Sequence, residues 1–200
     1  MHTQYLKLQE RLAGKVVTKD SFESIKTICG VDVSYKNNVA FASAVIVDKT
    51  FQVIERVDLK KVTTSPYVPG FLFLREAPPA LAALGSLKND YDLLMVDGHG
   101  QLHPRRCGLA CYLGLALDKP TIGIAKNLLC GKIKNESILL DGEILGAVIR
   151  TKKPVFVSVG HKISLKTAAS IVAETTRHDQ WLPEPLRLAD LYSKTQGKRS

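Results

Sequence analysis

Residues Tyr91 to Lys126 read YDLLMVDGHGQLHPRRCGLACYLGLALDKPTIGIAK. The apolar run Leu93 to Val96 has the length and flanks of a buried strand, and it stops on Asp97, with Gly98-His99-Gly100 directly after. A carboxylate at the carboxyl end of a buried strand, beside glycines that admit a ligand to the backbone, is where open α/β sheets place their sites. Pro104 suits the first turn of a helix, which reads on through Cys107 to Leu117, so that Arg105 and Arg106 would face the region of Asp97. A second apolar strand, Pro120 to Ala125, ends on Lys126. Strand, helix and strand in succession predict an α/β fold. One acid, His103, two arginines and a lysine would then converge at neighbouring element ends, as a phosphate site requires. A bland alternative stands beside this one, with Asp97 as a turn residue, His103 as a loop histidine and the arginines as a solvated face.

Moving outward, 200 residues suffice for one domain with a real core. Hydrophobic residues make up 45% and charged residues 24%, the balance of a folded soluble chain and not of a disordered one. No stretch approaches the ~20 apolar residues of a membrane span, and the N-terminus lacks the apolar segment of a secretory signal. Four cysteines (Cys29, Cys107, Cys111, Cys130) in apolar or glycine-rich contexts point to a reducing cytoplasm. The excess of 28 Lys+Arg over 19 Asp+Glu, a net charge of +9, favours a polyanionic partner.

Upstream, Tyr5, Leu6, Leu8 and Leu12 recur at helical spacing over residues 3–13. Three strands follow as an antiparallel meander: Ile28 to Tyr35, Val39 to Val47, and Phe51 to Val62, with Lys36-Asn37-Asn38 and Asp48-Lys49-Thr50 as turns. Asp32 lies mid-strand between Val31 and Val33, where a charge costs several kcal/mol, on the order of the desolvation penalty, unless it is paired or holds a metal. Pro66 and Pro69 stiffen a loop around Tyr67, a ring suited to insertion beside an unstacked base. Glu76 falls on a helix starting near Gly70 and predicted to break at Pro78-Pro79.

Downstream, Asp141-Gly142 is a hairpin signal between Ser137 to Leu140 and Glu143 to Thr151. Pro154 to Val159 is another strand, and Ser164 is placed to cap a helix from Leu165 to about Thr176. A last helix, Leu186 to about Ser193, carries Asp190, and a basic tail from Lys194 to Ser200 is expected to fray. His99, His103, Cys107 and Cys111 recur every four residues, yet Pro104 and the glycines oppose one continuous helix. One helix face also cannot close a zinc tetrahedron. Cys107 and Cys111 are better read as small buried residues.

Four segments, GVDVSY around Asp32, PYVPGFLFLRE, DGHGQLHPRRCGLACYLG and PTIGIAK, together resemble the endonuclease V family, the deoxyinosine-type repair nucleases. The likeness is close from about residue 28 to residue 131 and looser to Ser193. It implies a ribonuclease H-like mixed sheet, the antiparallel meander plus parallel strands, flanked by helices with an extra C-terminal hairpin, in a single domain spanning residues 1–200. It implies that Asp32, Glu76 and Asp97, with Asp190 more loosely matched, hold Mg²⁺, or Mn²⁺ as a substitute; oxygen donors suit such hard ions. His103 and Lys126 would serve the scissile phosphate. Tyr67 resembles the family's wedge, and Pro69, Gly70, Leu72, Gly98, Arg105, Gly108 and Leu129 would hold the extruded base or its strand. The implied reaction is hydrolysis of the second phosphodiester bond 3′ to inosine, leaving 3′-hydroxyl and 5′-phosphate ends. Expected partners are inosine-bearing DNA and possibly RNA, with the protein a monomer. Two other readings stay open, a structure-selective nuclease of the same fold and an inosine-specific ribonuclease.

Overall fold

The computed structural model describes residues 2–63, 68 and 70–198. In chain order the elements are α1 (His2–Ala13), β1 (Thr27–Lys36), β2 (Val39–Asp48), β3 (Val53–Val62), α2 (Leu72–Leu84), β4 (Leu93–Asp97), α3 (Leu109–Leu117), β5 (Thr121–Ala125), β6 (Lys132–Lys134), β7 (Ser137–Leu140), β8 (Glu143–Arg150), β9 (Pro154–His161), α4 (Leu165–Thr175) and α5 (Glu184–Lys198). The nine strands form one sheet in the order β3-β2-β1-β4-β5-β9-β8-β7-β6. The expected meander pairs antiparallel, and β4 then adds parallel to β1 and β5 parallel to β4. The mixed sheet with flanking helices is the architecture the sequence predicted.

Strand periodicity sorts the core into two faces. Ile28 of β1, Leu93 and Met95 of β4, and Ile122 and Ile124 of β5 pack with α4 and α5. Their neighbours Cys29, Val31, Leu94 and Val96 pack on the other face with α1, α2 and α3. Counting on in steps of two, Asp32, Asp97 and Lys126 all fall on the α5 face. The register agrees, because Asp32 and Asp97 lie one residue beyond the parallel pair Val31–Val96. Gly30 lets α5 lie flat on β1: a Cβ there would sit 2.1 Å from the Pro185 carbonyl oxygen. No other residue type fits, so this glycine fixes the depth at which α5 docks.

Several elements depart from expectation. Helix α2 does not break at Pro78-Pro79 but runs through both. Pro79 cannot donate to the Arg75 carbonyl one turn back, and the Tyr35 hydroxyl donates to that carbonyl instead, at 3.1 Å. Helix α3 starts at Leu109, not near Pro104, because Arg106 adopts a left-handed φ of 54° that ends any helix through it. Helix α5 starts at Glu184 and continues through the expected frayed tail to Lys198. Gln196 there donates to the Ala42 carbonyl at 3.3 Å, which ties the last turns down to β2. The short edge strand β6 was not foreseen; its three exposed residues carry no burial pattern to reveal it. The Asp141-Gly142 hairpin is present, with both residues at positive φ as a two-residue turn of this sequence requires.

Candidate active site

Where β4 and β5 end beside the middle of β1, the carboxylates of Asp32, Asp97 and Asp190 offer oxygens that all lie within 4.8 Å of one another. The first two come from adjacent parallel strands, and the third from α5 lying over them. Lys126 follows β5 directly. Its Nζ donates to Asp97 and, at 2.6 Å, to Asp190. Lys194, one turn on from Asp190, donates to both oxygens of that carboxylate at 2.7 and 2.8 Å. Ser193, wholly buried, donates its hydroxyl to Asp32. A single helix thus supplies one acid of the group and orients another.

Electrostatics follow from the crowding. Burial, and then the charge of Asp97, push the Asp32 carboxyl up to about 7. Glu76 is driven to about 8, first by burial and then by Asp32 and Asp97. Burial lowers the Lys126 ammonium, but Asp97 and Asp190 outweigh it and hold the amine above its ordinary value. Asp190 also sits below its ordinary value: burial raises it, and hydrogen bonds from Lys126 and Lys194 more than reverse that. Like charges at this spacing oppose ionisation unless a cation joins them. Among the described residues, Asp32, Asp97 and Asp190 are the one group of three side chains placed to hold a metal ion. Their all-oxygen donor set fits a hard divalent ion.

Glu76 stays outside that group. It reaches the neighbourhood from α2, where it lines the same cavity as Asp32 and Asp97 and feels the charge of both. Asp190, matched only loosely in sequence, is fully inside. Beside the acids opens a cavity of about 340 Å³, within the ~300–1,000 Å³ range of small-ligand pockets. Its lining includes Gly70, Leu72, Gly98, His103, Gly108, Lys126 and Leu129, every described residue expected there except Arg105. Tyr67 and Pro69 lie outside the described residues.

The two arginines do not converge on Asp97. Arg106 turns to the β7–β8 hairpin, pairing with Asp141 at 3.3 Å and Glu143 at 3.1 Å. Arg105 donates Nε to the Gln9 side-chain oxygen at 2.7 Å and an Nη to the Gly70 carbonyl, with its guanidinium 4.5 Å from the Phe71 ring centre. It therefore braces the cavity wall from behind. His103 is buried and accepts at Nδ1 from the Arg105 backbone N–H at 3.2 Å. Burial, then the Arg105 charge, lower it to about 4, so the ring is neutral near pH 7 where it lines the cavity.

Sequence reasoning passed over Ser193, Lys194 and Gln9. The first two had a signal, since residues three and four beyond Asp190 share its helix face. Gln9 had one too: it interrupts the apolar stripe of α1 four residues after Tyr5 and three after Leu6.

Comparison with known proteins bears on this site. The family model described as endonuclease V matches residues 10–191. The endonuclease V of Thermofilum pendens is 46% identical over 200 residues, covering 95% of this chain and 86% of the relative. The crystal structure of endonuclease V from Streptomyces avermitilis superposes with a TM-score of 0.91 at 33% identity, covering 100% of this chain and 94% of that one. The Ciona intestinalis endonuclease V, in complex with a 24mer DNA containing an inosine followed by a ribo-adenosine, gives 0.89 at 30% identity, covering 98% and 97%.

Proposed function

The chain belongs to the endonuclease V family of nucleases, and from that premise we propose that it recognises inosine in a nucleic-acid strand and cuts the second phosphodiester bond on its 3′ side. The observation that carries this reading is the three-acid group of Asp32, Asp97 and Asp190 opening beside a cavity roomy enough to admit a nucleobase. Asp32, Asp97 and Asp190 would hold Mg²⁺ or Mn²⁺. When bound, the ion would polarise the scissile phosphate, lower the pKa of the attacking water and stabilise the leaving oxygen.

The chain's own residues do the rest. Lys126 keeps a full positive charge at the acids and presents it to the phosphate that gathers negative charge. Glu76, raised by burial and by the charges of Asp32 and Asp97, is a fourth acid at this site, and a bound cation would favour its ionised form. Gly70, Gly98 and Gly108 expose backbone to the cavity, with Leu72 and Leu129 as apolar walls. Backbone N–H and C=O groups can separate hypoxanthine from adenine, because its position 6 accepts and its N1 donates. His103, kept neutral by burial, lines the same cavity as Lys126 and is the proposed donor to an oxygen of the scissile phosphate. Tyr67, with Pro69 beside it, is the proposed wedge, filling the gap left by the extruded nucleotide.

DNA is the substrate we propose first, since the Ciona relative is seen holding inosine-bearing DNA. RNA is the second, because both polymers carry the same base. No helix among the described residues is long and apolar enough to cross a membrane; a monomeric, single-domain cytoplasmic enzyme completes the proposal. The test is a cleavage series on matched DNA and RNA strands with and without one inosine, in Mg²⁺, Mn²⁺ or chelator. Cutting confined to inosine-bearing strands and abolished by chelator is expected. Equal cutting of inosine-free strands would overturn the base specificity, and activity in chelator the metal requirement.

A further inference from the structure

Gln9 is a polar residue that is only 1% exposed, on the helix farthest in sequence from the acids. Every hydrogen-bonding position of its amide is engaged except one lone pair. Nε2 donates to the Cys107 carbonyl at 2.8 Å and to the Gly70 carbonyl at 3.3 Å, and Oε1 accepts from Arg105 Nε at 2.7 Å. Arg105 closes the ring by donating to Gly70 as well, while its guanidinium lies over Phe71. Gln9 and Gly70 line the cavity themselves, and the other partners adjoin its walls. Gly70 leads into α2, whose first residue Leu72 lines one side; Cys107 precedes Gly108, which lines the other.

We propose that Gln9 is a positioning residue that sets the spacing between these two walls, and through it the selectivity of the pocket for inosine over adenosine. The inference rests on the functional reading above and deepens it. Two features favour a positioning role over plain core filling. An apolar side chain would suit this stripe of α1 better, since Tyr5 and Leu6 beside it pack into the core. Gly70 is also held at a left-handed φ of 78°, and a Cβ there would lie 2.8 Å from the Arg105 guanidinium, so the braced geometry leaves no slack. A carbonyl fixed by two donors cannot drift, and a base pocket reading donor against acceptor depends on walls that do not drift.

The experiment measures equilibrium binding in chelator, by fluorescence anisotropy, to two duplexes that differ only in inosine against adenosine at one position. The proteins are wild type, Gln9→Leu and Gln9→Glu, each with a thermal melt. Leucine removes both donors and the acceptor at similar volume. Glutamate keeps a partner for Arg105, which supports folding, but turns an acceptor toward the Gly70 and Cys107 carbonyls. Both variants are expected to lose about tenfold of the inosine-to-adenosine affinity ratio, with binding to the adenosine duplex within about twofold of wild type. Equal weakening on both duplexes, or a retained ratio, would overturn the inference, and Gln9→Glu decides it if Gln9→Leu does not fold. A wild-type protein without inosine preference would instead overturn the functional reading, and the inference with it.

Discussion

Strand β4 is five residues long and has an aspartate at either end, Asp92 just before it and Asp97 as its last residue. At the first end, Asp92 accepts from the Lys26 and Thr27 backbone N–H groups at 2.7 and 2.9 Å and from the Thr27 hydroxyl at 3.1 Å. Burial raises its pKa, yet these donors more than reverse that and hold it below its ordinary value. At the other end, Asp97 faces Asp32 and Asp190, with Lys126 as the cation between acids. One end of the strand satisfies its charge locally, whereas the other concentrates charge that a bound ion would relieve. The same residue type therefore does opposite jobs. Asp92 ties the chain down, and Asp97 stores electrostatic stress where chemistry is proposed.

The largest expected effect breaks the comparison most directly. Asp97→Asn should lower cleavage of inosine-bearing strands by about 10³-fold or more while the metal-free stability changes by less than about 1 kcal/mol, because lost repulsion offsets the lost Lys126 pair. Asp92→Asn should leave cleavage within about threefold and cost roughly 1–2 kcal/mol, the worth of charge-assisted bonds at a part-exposed site. Single-turnover assays and denaturant melts on both variants check this. Comparable activity losses in the two would erase the distinction.

Next in size is Ser193→Ala. Asp32 would lose the hydroxyl that orients it, and groups that orient metal ligands are commonly worth 10–100-fold, roughly, in metal affinity. A tenfold weaker Mn²⁺ affinity by calorimetry is expected, and an unchanged affinity would show that Asp32 needs no orientation from α5.

These two ends also show which parts of the molecule were legible in advance. Asp97 stood out because it ends an apolar run on Gly-His-Gly, and Asp32 because a charge interrupts a β-branched run. Period-two alternation then puts both on the α5 face, so the heart of the site could be read from strand chemistry. Asp92 gave no comparable sign, since an aspartate before a strand reads as turn chemistry whether or not it bonds anything. The arginines misled because the helix assigned to Pro104 begins five residues later, after a left-handed Arg106 that local propensity does not announce. Gln9 and Ser193 stood out only by helical spacing; their partners are far away in sequence, so packing alone shows what they bond.

The pH dependence of stability should have opposite signs at the two kinds of acid. Asp32 has a folded pKa near 7 against an ordinary 3.8. Between about pH 4 and 7 the unfolded chain has released this proton and the folded chain retains it, so stability falls as pH rises through that window. In chelator, Asp32→Asn should therefore gain on wild type in thermal midpoint from about pH 4 to 7 and level off above. Asp92 has a depressed folded value, so its contribution is present above 3.8 and lost only as pH falls below it. The gap between wild type and Asp92→Asn should narrow only in acid. A gap for Asp32→Asn that is flat between pH 4 and 7 would show that the acid cluster carries no such stress.

The smallest effect lies beside the stressed end, at Tyr35. Its hydroxyl donates to the Arg75 carbonyl that Pro79 leaves open, and its ring lies 4.1 Å from the Arg75 guanidinium carbon. Tyr35→Phe keeps the ring and deletes the one donor, so the cost should be about 1 kcal/mol in a denaturant melt. Because Glu76 is the next residue on α2, the same change loosens a carboxyl held at an unusual pKa without touching Asp32, Asp97 or Asp190. Cleavage should fall by no more than about threefold. A loss as large as that of Asp97→Asn would mean that the seating of α2, and not the three-acid group on the α5 face, limits the reaction.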